Sequence, residues 1–88
     1  MTTYQFISDP GHGWLRVKLS ELKRLGITDK ITSYSYISGD HAWLEEDGDY
    51  STFCAAKRAH GEPFTVSERH VNYTTIRDLP CYSFRNND

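Results

Sequence analysis

Turn-forming residues recur so closely along this chain that, as far as Pro63, no element between them exceeds about a dozen residues. Ser8-Asp9-Pro10-Gly11-His12-Gly13, Gly26, Ser38-Gly39-Asp40-His41, Asp47-Gly48-Asp49, and Gly61 with Pro63 each break regular structure. Short strands and short helices are what remain. Thr3–Ile7 alternates, with Tyr4 and Phe6 on one face. Trp14–Leu19 alternates again; Leu15, Val17 and Leu19 form the core face, and Trp14 covers an edge. Pro10 biases Asp9 to extended backbone, and Gly11 and Gly13 permit positive φ in the turn between the two strands.

Ser20 is placed to cap a two-turn helix carrying Leu22 and Leu25, stopped by Gly26 at C′. Ile31–Ile37 reads as a strand, Ser38–His41 as a hairpin turn, and Ala42–Glu45 as its partner strand. Asp49 or Ser51 caps a second helix that runs to about His60, with Tyr50, Phe53, Cys54 and Lys57 on one side. Phe64–Val71 reads as a last strand, and Thr74-Thr75-Ile76 as extended. The order ββαββαβ predicts a small α+β domain: a mostly antiparallel sheet with two short helices on one face.

At 88 residues the chain makes one domain, 1–88, with 85–88 expected to fray. The 14% aromatic content argues against disorder. A mean hydropathy of -0.65, with apolar runs of only three or four residues, argues against a membrane span. No secretory signal pattern is read, so the cytoplasm is the expected compartment. Cys54 and Cys81 are too few for a disulfide framework and are expected to stay reduced.

Catalytic signatures are absent from this reading. His12, His41, His60, His70, Cys54 and Cys81 include no C-x-x-C or H-x-x-x-H pair, so no metal or other cofactor is expected. Asp47-Gly48-Asp49 begins like a calcium loop but lacks the later glycine and glutamate. There is no G-x-S-x-G elbow. Glu45 and Glu46 are adjacent in a strand and point to opposite faces, so they cannot act as a carboxylate dyad. The glycine-rich turn 9–13 precedes a strand rather than a helix and has no lysine, unlike a phosphate loop. A non-enzymatic protein is expected.

Charge is the most concentrated feature. Asp40, Glu45, Glu46, Asp47 and Asp49 fall between positions 40 and 50 with no base among them, whereas the rest carries seven acids and ten bases. Such a run either solvates a turn or meets a basic surface on a partner. Tyr34, Tyr36, Trp43, Tyr50 and Tyr73 lie in the same part of the chain or near it; most suit core packing, but exposed Tyr and Trp are binding hot spots. No Lys or Arg occurs from 31 to 56, which argues against direct nucleic-acid binding.

The strings S-D-P-G-H-G-W-L (8–15), L-G-I-x-D-K-I-x-x-Y-S-Y (25–36) and L-E-E-D-G-D (44–49) resemble a group of small accessory proteins encoded on bacteriophages, prophages and plasmids. The resemblance spans residues 3 to about 83. It implies a mobile-element context, in which several such genes encode inhibitors of host defence, anti-CRISPR proteins among them. The chain departs from that group at Gly48, where the group carries a cysteine, so no thiol role carries over there.

The expected function is therefore a binding protein that blocks a host complex, such as a CRISPR effector. Its surface would be Tyr34, Tyr36, Asp40, Trp43, Glu45, Glu46, Asp47 and Asp49, acting as a monomer or homodimer without membrane contact. The alternative is a small-molecule binder or weak enzyme built on the glycine-rich turn through His12, Trp14 and Tyr73. That alternative predicts a pocket under residues 9 to 14. A third reading is a structural or regulatory protein of the mobile element.

Overall fold

The computed structural model describes residues 1–83; the expected fraying of 85–88 lies outside them. Two strands, β1 (Thr2–Ser8) and β2 (Gly13–Lys18), lead into helix α1 (Leu19–Arg24). Strands β3 (Tyr36–Ser38) and β4 (His41–Glu45), helix α2 (Asp49–Ala59) and strand β5 (Phe64–His70) follow. The five strands form one mixed sheet, ordered β3-β4-β2-β1-β5. Every pairing is antiparallel except β1 with β5, which is parallel over Thr2–Phe64 to Ser8–His70.

Alternation decides which face is buried. Tyr4 and Phe6 of β1, Leu15 and Val17 of β2, and Ala42 and Leu44 of β4 point to one side. There they meet Leu22 of α1, Leu25 at its C-terminal cap and Phe53 of α2 in a single core. Both helices thus cover the same face, and the other face is left bare except where the C-terminal segment crosses one end. Tyr4, Phe53 and Phe64 pack edge-to-face in a triangle, with ring centroids 5.1 to 5.7 Å apart. Lys57 is buried against these three rings, its Nζ 5.3 Å from the Tyr4 centroid.

The boundaries differ from the sequence pattern in instructive ways. Helix α1 starts at Leu19, not after a Ser20 cap, because the Leu19 N–H donates to the Asp40 carbonyl of the β3–β4 hairpin (2.8 Å). Its stop is as expected: Gly26 has φ 72°, and the Ile27 N–H returns to the Leu22 carbonyl (3.0 Å). Gly11 and Gly13, by contrast, do not have positive φ. Gly13 is glycine for clearance, since a Cβ there would lie 2.4 Å from Phe6 Cζ.

The expected strand Ile31–Ile37 is largely absent. Thr28–Lys30 is a 3₁₀ turn, and only Tyr36–Ser38 is extended and paired. The cause is the hydroxyls of Thr32 and Ser35, which turn inward to bond Asp49 at the start of α2. The expected extension at 74–76 fails similarly: Thr74 and Thr75 join no strand but accept the Ile76 and Asp78 N–H groups, and Ile76–Asp78 is a 3₁₀ turn whose Ile76 is buried. Beyond it, Cys81 bridges to Tyr36, and the Tyr82 N–H reaches the Ser35 carbonyl (2.8 Å).

Cys54 is half-buried on α2 and Cys81 is exposed, and the two are not bridged. Reductant is therefore expected to leave the melting temperature unchanged; a drop of several degrees would reveal a cross-link. Among the described residues no helix is long and apolar enough to cross a membrane.

Candidate functional site

The five acids of residues 40–49 do not form one patch. Asp40 sits in the β3–β4 turn, roughly 20 Å of extended chain from Glu46, and contacts the His41 imidazole (2.7 Å). Asp49 is buried, at 1% exposure. It is not the side-chain cap of α2 but the acceptor for the loop before β3: the Thr32 N–H (3.1 Å), the Thr32 hydroxyl (2.8 Å) and the Ser35 hydroxyl (2.5 Å). Ser51 does not cap either.

Glu45 supplies the cap instead. Its carboxylate accepts the N–H groups of Asp47 (2.8 Å), Gly48 (2.6 Å) and Asp49 (2.7 Å) at the opening of α2. Burial alone would raise the Glu45 pKa. These three donors, with a contribution from His12, hold it below the usual carboxylate range. Glu46 and Asp47 remain exposed, and no other group in the structure engages their carboxylates in an ion pair among the described residues.

Asp47 lines a cavity of about 680 Å³ at the same end of the sheet; Glu46 does not, its carboxylate lying on the Phe6 side near Gly13. The cavity's aromatic wall is Trp14, Tyr34 and Tyr36, with His12 and Arg77 packed against Trp14. Trp14 and Tyr36 meet at 65° with centroids 6.4 Å apart, and His12 lies 6.1 Å from the indole. Tyr34 is 78% exposed at the mouth. The glycine-rich turn positions this wall through Asp9, whose Oδ1 accepts the N–H groups of Gly11 and His12 (both 2.9 Å).

Asp9 also holds Arg77 in a two-pronged pair at 2.7 and 2.9 Å, which sets the guanidinium 5.2 Å from the Trp14 centroid. The His12 N–H lowers the Asp9 pKa most; burial opposes this, and Arg77 and Gly11 lower it further.

The structure thus draws residues from both expected surfaces into one site: His12 and Trp14 with Tyr34, Tyr36, Glu45 and Asp47. It leaves out Tyr73, which is 73% exposed and does not line the cavity. Trp43 also lies elsewhere, on the bare sheet face beside Arg16. Trp14 does not merely cover an edge; it is 2% exposed, sealed by Arg77. Arg77 is the residue that sequence reasoning missed. It stands 68 positions from Asp9, and no spacing pattern connects them.

No nucleophile–base–acid arrangement is evident in the cavity, and among the described residues no group of three His, Cys, Asp or Glu side chains is placed to hold a metal ion. What the cavity presents is π faces, the free carboxylate of Asp47 and one guanidinium already seated on an indole. No family model, curated protein or solved structure matches this chain.

Proposed function

We propose that this is a non-enzymatic binding protein whose aromatic, acid-rimmed cavity receives a cationic side chain from a host protein complex. Given the resemblance to accessory proteins of phages and plasmids, the concrete version is an inhibitor of a defence complex, an anti-CRISPR protein. It would cover a basic surface that otherwise holds nucleic acid. The observation that carries the reading is the Arg77 guanidinium over Trp14: the chain itself docks a cation on this wall, and Tyr34, Tyr36 and Asp47 beside it remain free for another.

The test is co-purification with tagged protein followed by measurement on the purified complex. The change Asp47→Asn is expected to leave stability within about 0.5 kcal/mol. It should slow association several-fold at low salt, with the difference shrinking as salt rises, because screening at about 0.15 M acts over roughly 8 Å. Glu45 must be left intact, since it caps α2. Recovery of no defence complex, or unchanged association by the folded variant, would sink the proposal.

A small-molecule role is the second reading. It is favoured by the position of the cavity against His12 and Trp14 and by a volume typical of ligand sites. Protection against thermal unfolding by a compound, lost in Tyr36→Ala, would favour it over a protein partner.

A further inference from the structure

The side of the sheet away from the helices carries a second arrangement that the cavity does not use. Ser67, Gln5, Arg16, Trp43 and Tyr36 fall on one register line across β5, β1, β2, β4 and β3. Adjacent strands are about 4.8 Å apart, so the line is about 19 Å long. The neighbouring line holds Thr65 with Thr3 on one side and Lys18, His41 and Ser38 on the other. Neither line contains an acidic residue. Arg16 and Lys18 are exposed, and neither makes an ion pair among the described residues. The Arg16 guanidinium lies 5.9 Å from the half-exposed Trp43 ring. A hollow of about 380 Å³ opens beside them, lined by Thr3, Gln5, Arg16, Lys18, His41 and Glu21. Glu21 is already committed to Tyr4 and Arg24.

The absence of Lys and Arg from 31 to 56 is thus misleading about charge in space, because strand pairing sets Arg16 directly against Trp43. A flat, twisted sheet face with aromatic rings beside unpaired cations matches the needs of an unpaired nucleic-acid strand. Its bases stack on rings or on a guanidinium plane, while its phosphates meet Arg and Lys. Gln5, Ser67, Ser38 and the Thr3–Thr65 hydroxyl pair place neutral hydrogen-bonding groups along the same lines. Those groups suit a ribose 2′-hydroxyl, which DNA lacks. We propose that this face binds single-stranded RNA, with Trp43 and Tyr36 stacking bases and Arg16 and Lys18 holding phosphates. The site is independent of the cavity except at Tyr36, which borders both.

Fluorescence anisotropy of a labelled uridylate oligomer of about 15 nucleotides, read at low salt on the whole protein, tests the assignment. Binding is expected to weaken about tenfold in Trp43→Ala and several-fold in Arg16→Gln. It should stay at the native level in Tyr34→Ala, which alters only the cavity mouth. A thymidylate oligomer of the same length is expected to bind several-fold more weakly. A circular dichroism melt of each variant separates loss of a contact from loss of fold; should Trp43→Ala unfold, Trp43→Leu and Lys18→Gln take its place. No RNA binding, equal binding of the thymidylate, or full binding by folded Arg16 and Trp43 variants would each overturn the proposal. So would a concentration-dependent dimer through this face in place of RNA binding.

Discussion

Replacing Asp49 by alanine is expected to destabilise the fold by about 3–4 kcal/mol, among the largest losses available to a single side chain here. Its carboxylate is buried and accepts from Thr32 twice and from Ser35 once. Removing it strands three donors in a dry site while deleting bonds of about 1.5–3 kcal/mol each to a charged acceptor, partly recovered by relaxation. Asp49→Asn keeps one acceptor oxygen and should cost about half as much. In a domain of this size, 3 kcal/mol lowers the melting temperature by roughly 15 °C. The effect should reach the cavity too, because Thr32, Tyr34 and Tyr36 lie on or beside the loop that Asp49 holds. A melting temperature within a few degrees of the native value would mean that the loop is held by something else.

The second large effect is expected at Lys57. Its ammonium donates to the Tyr4 hydroxyl and to Glu62, both at 3.0 Å, within the triangle of Tyr4, Phe53 and Phe64. Tyr4 passes a bond to Glu21 (2.8 Å), and Arg24 closes the circuit by binding Glu21 and Glu62. β1, both helices and the turn after α2 are thereby joined. Burial works against the Lys57 charge, but its bonds to Tyr4 and Glu62 prevail and hold its pKa above the usual lysine value. Lys57→Ala removes both the packed stem and the ammonium and should cost about 3 kcal/mol; Lys57→Met, which keeps the stem, should cost about half of that.

Acid titration gives an independent check. Arg24 first, and then Lys57, depress the Glu62 pKa to about 2 from an ordinary 4.5. A depressed carboxylate contributes its full stabilisation above its unfolded value, and loses it as pH falls through the folded one. Native protein should therefore weaken between about pH 4.5 and 2. Arg24→Gln should flatten that limb more than Lys57→Met does. An acid limb unchanged in Arg24→Gln would break the link between this circuit and stability.

The main elements were readable because they rest on local rules. Period-two alternation at Tyr4–Phe6 and at Leu15–Val17 gave the core face, and Gly26 and Gly61 ended their helices with φ of 72° and 64°. What failed depended on distant partners. Ile31–Ile37 has strand composition, but Thr32 and Ser35 are drawn to a carboxylate on another element. The acidic run looked uniform, yet one member caps a helix, one is buried, one sits across the sheet and two face solvent. Charge counted along a chain carries no information on which carboxylates already have donors. The cavity was half legible, through His12 and Trp14 and through Tyr34 and Tyr36; that the two pairs share a wall follows from β4 pairing with β2 on one side and with β3 on the other.

The parallel pairing of β1 with β5 has a kinetic consequence. Thr2 faces Phe64, so the first strand to be synthesised waits for the last before its outer hydrogen-bonding edge is filled. Until then Tyr4 lacks Phe64 from its triangle and β1 is left as an open edge of the sheet. Joining segments this far apart must overcome loop entropy before it gains contacts, which places the chain among the slower folders of its length. During translation the ribosome still covers β5 when β1, β2 and α1 have emerged. A chain cut short before Phe64 therefore exposes a sticky strand rather than a smaller domain.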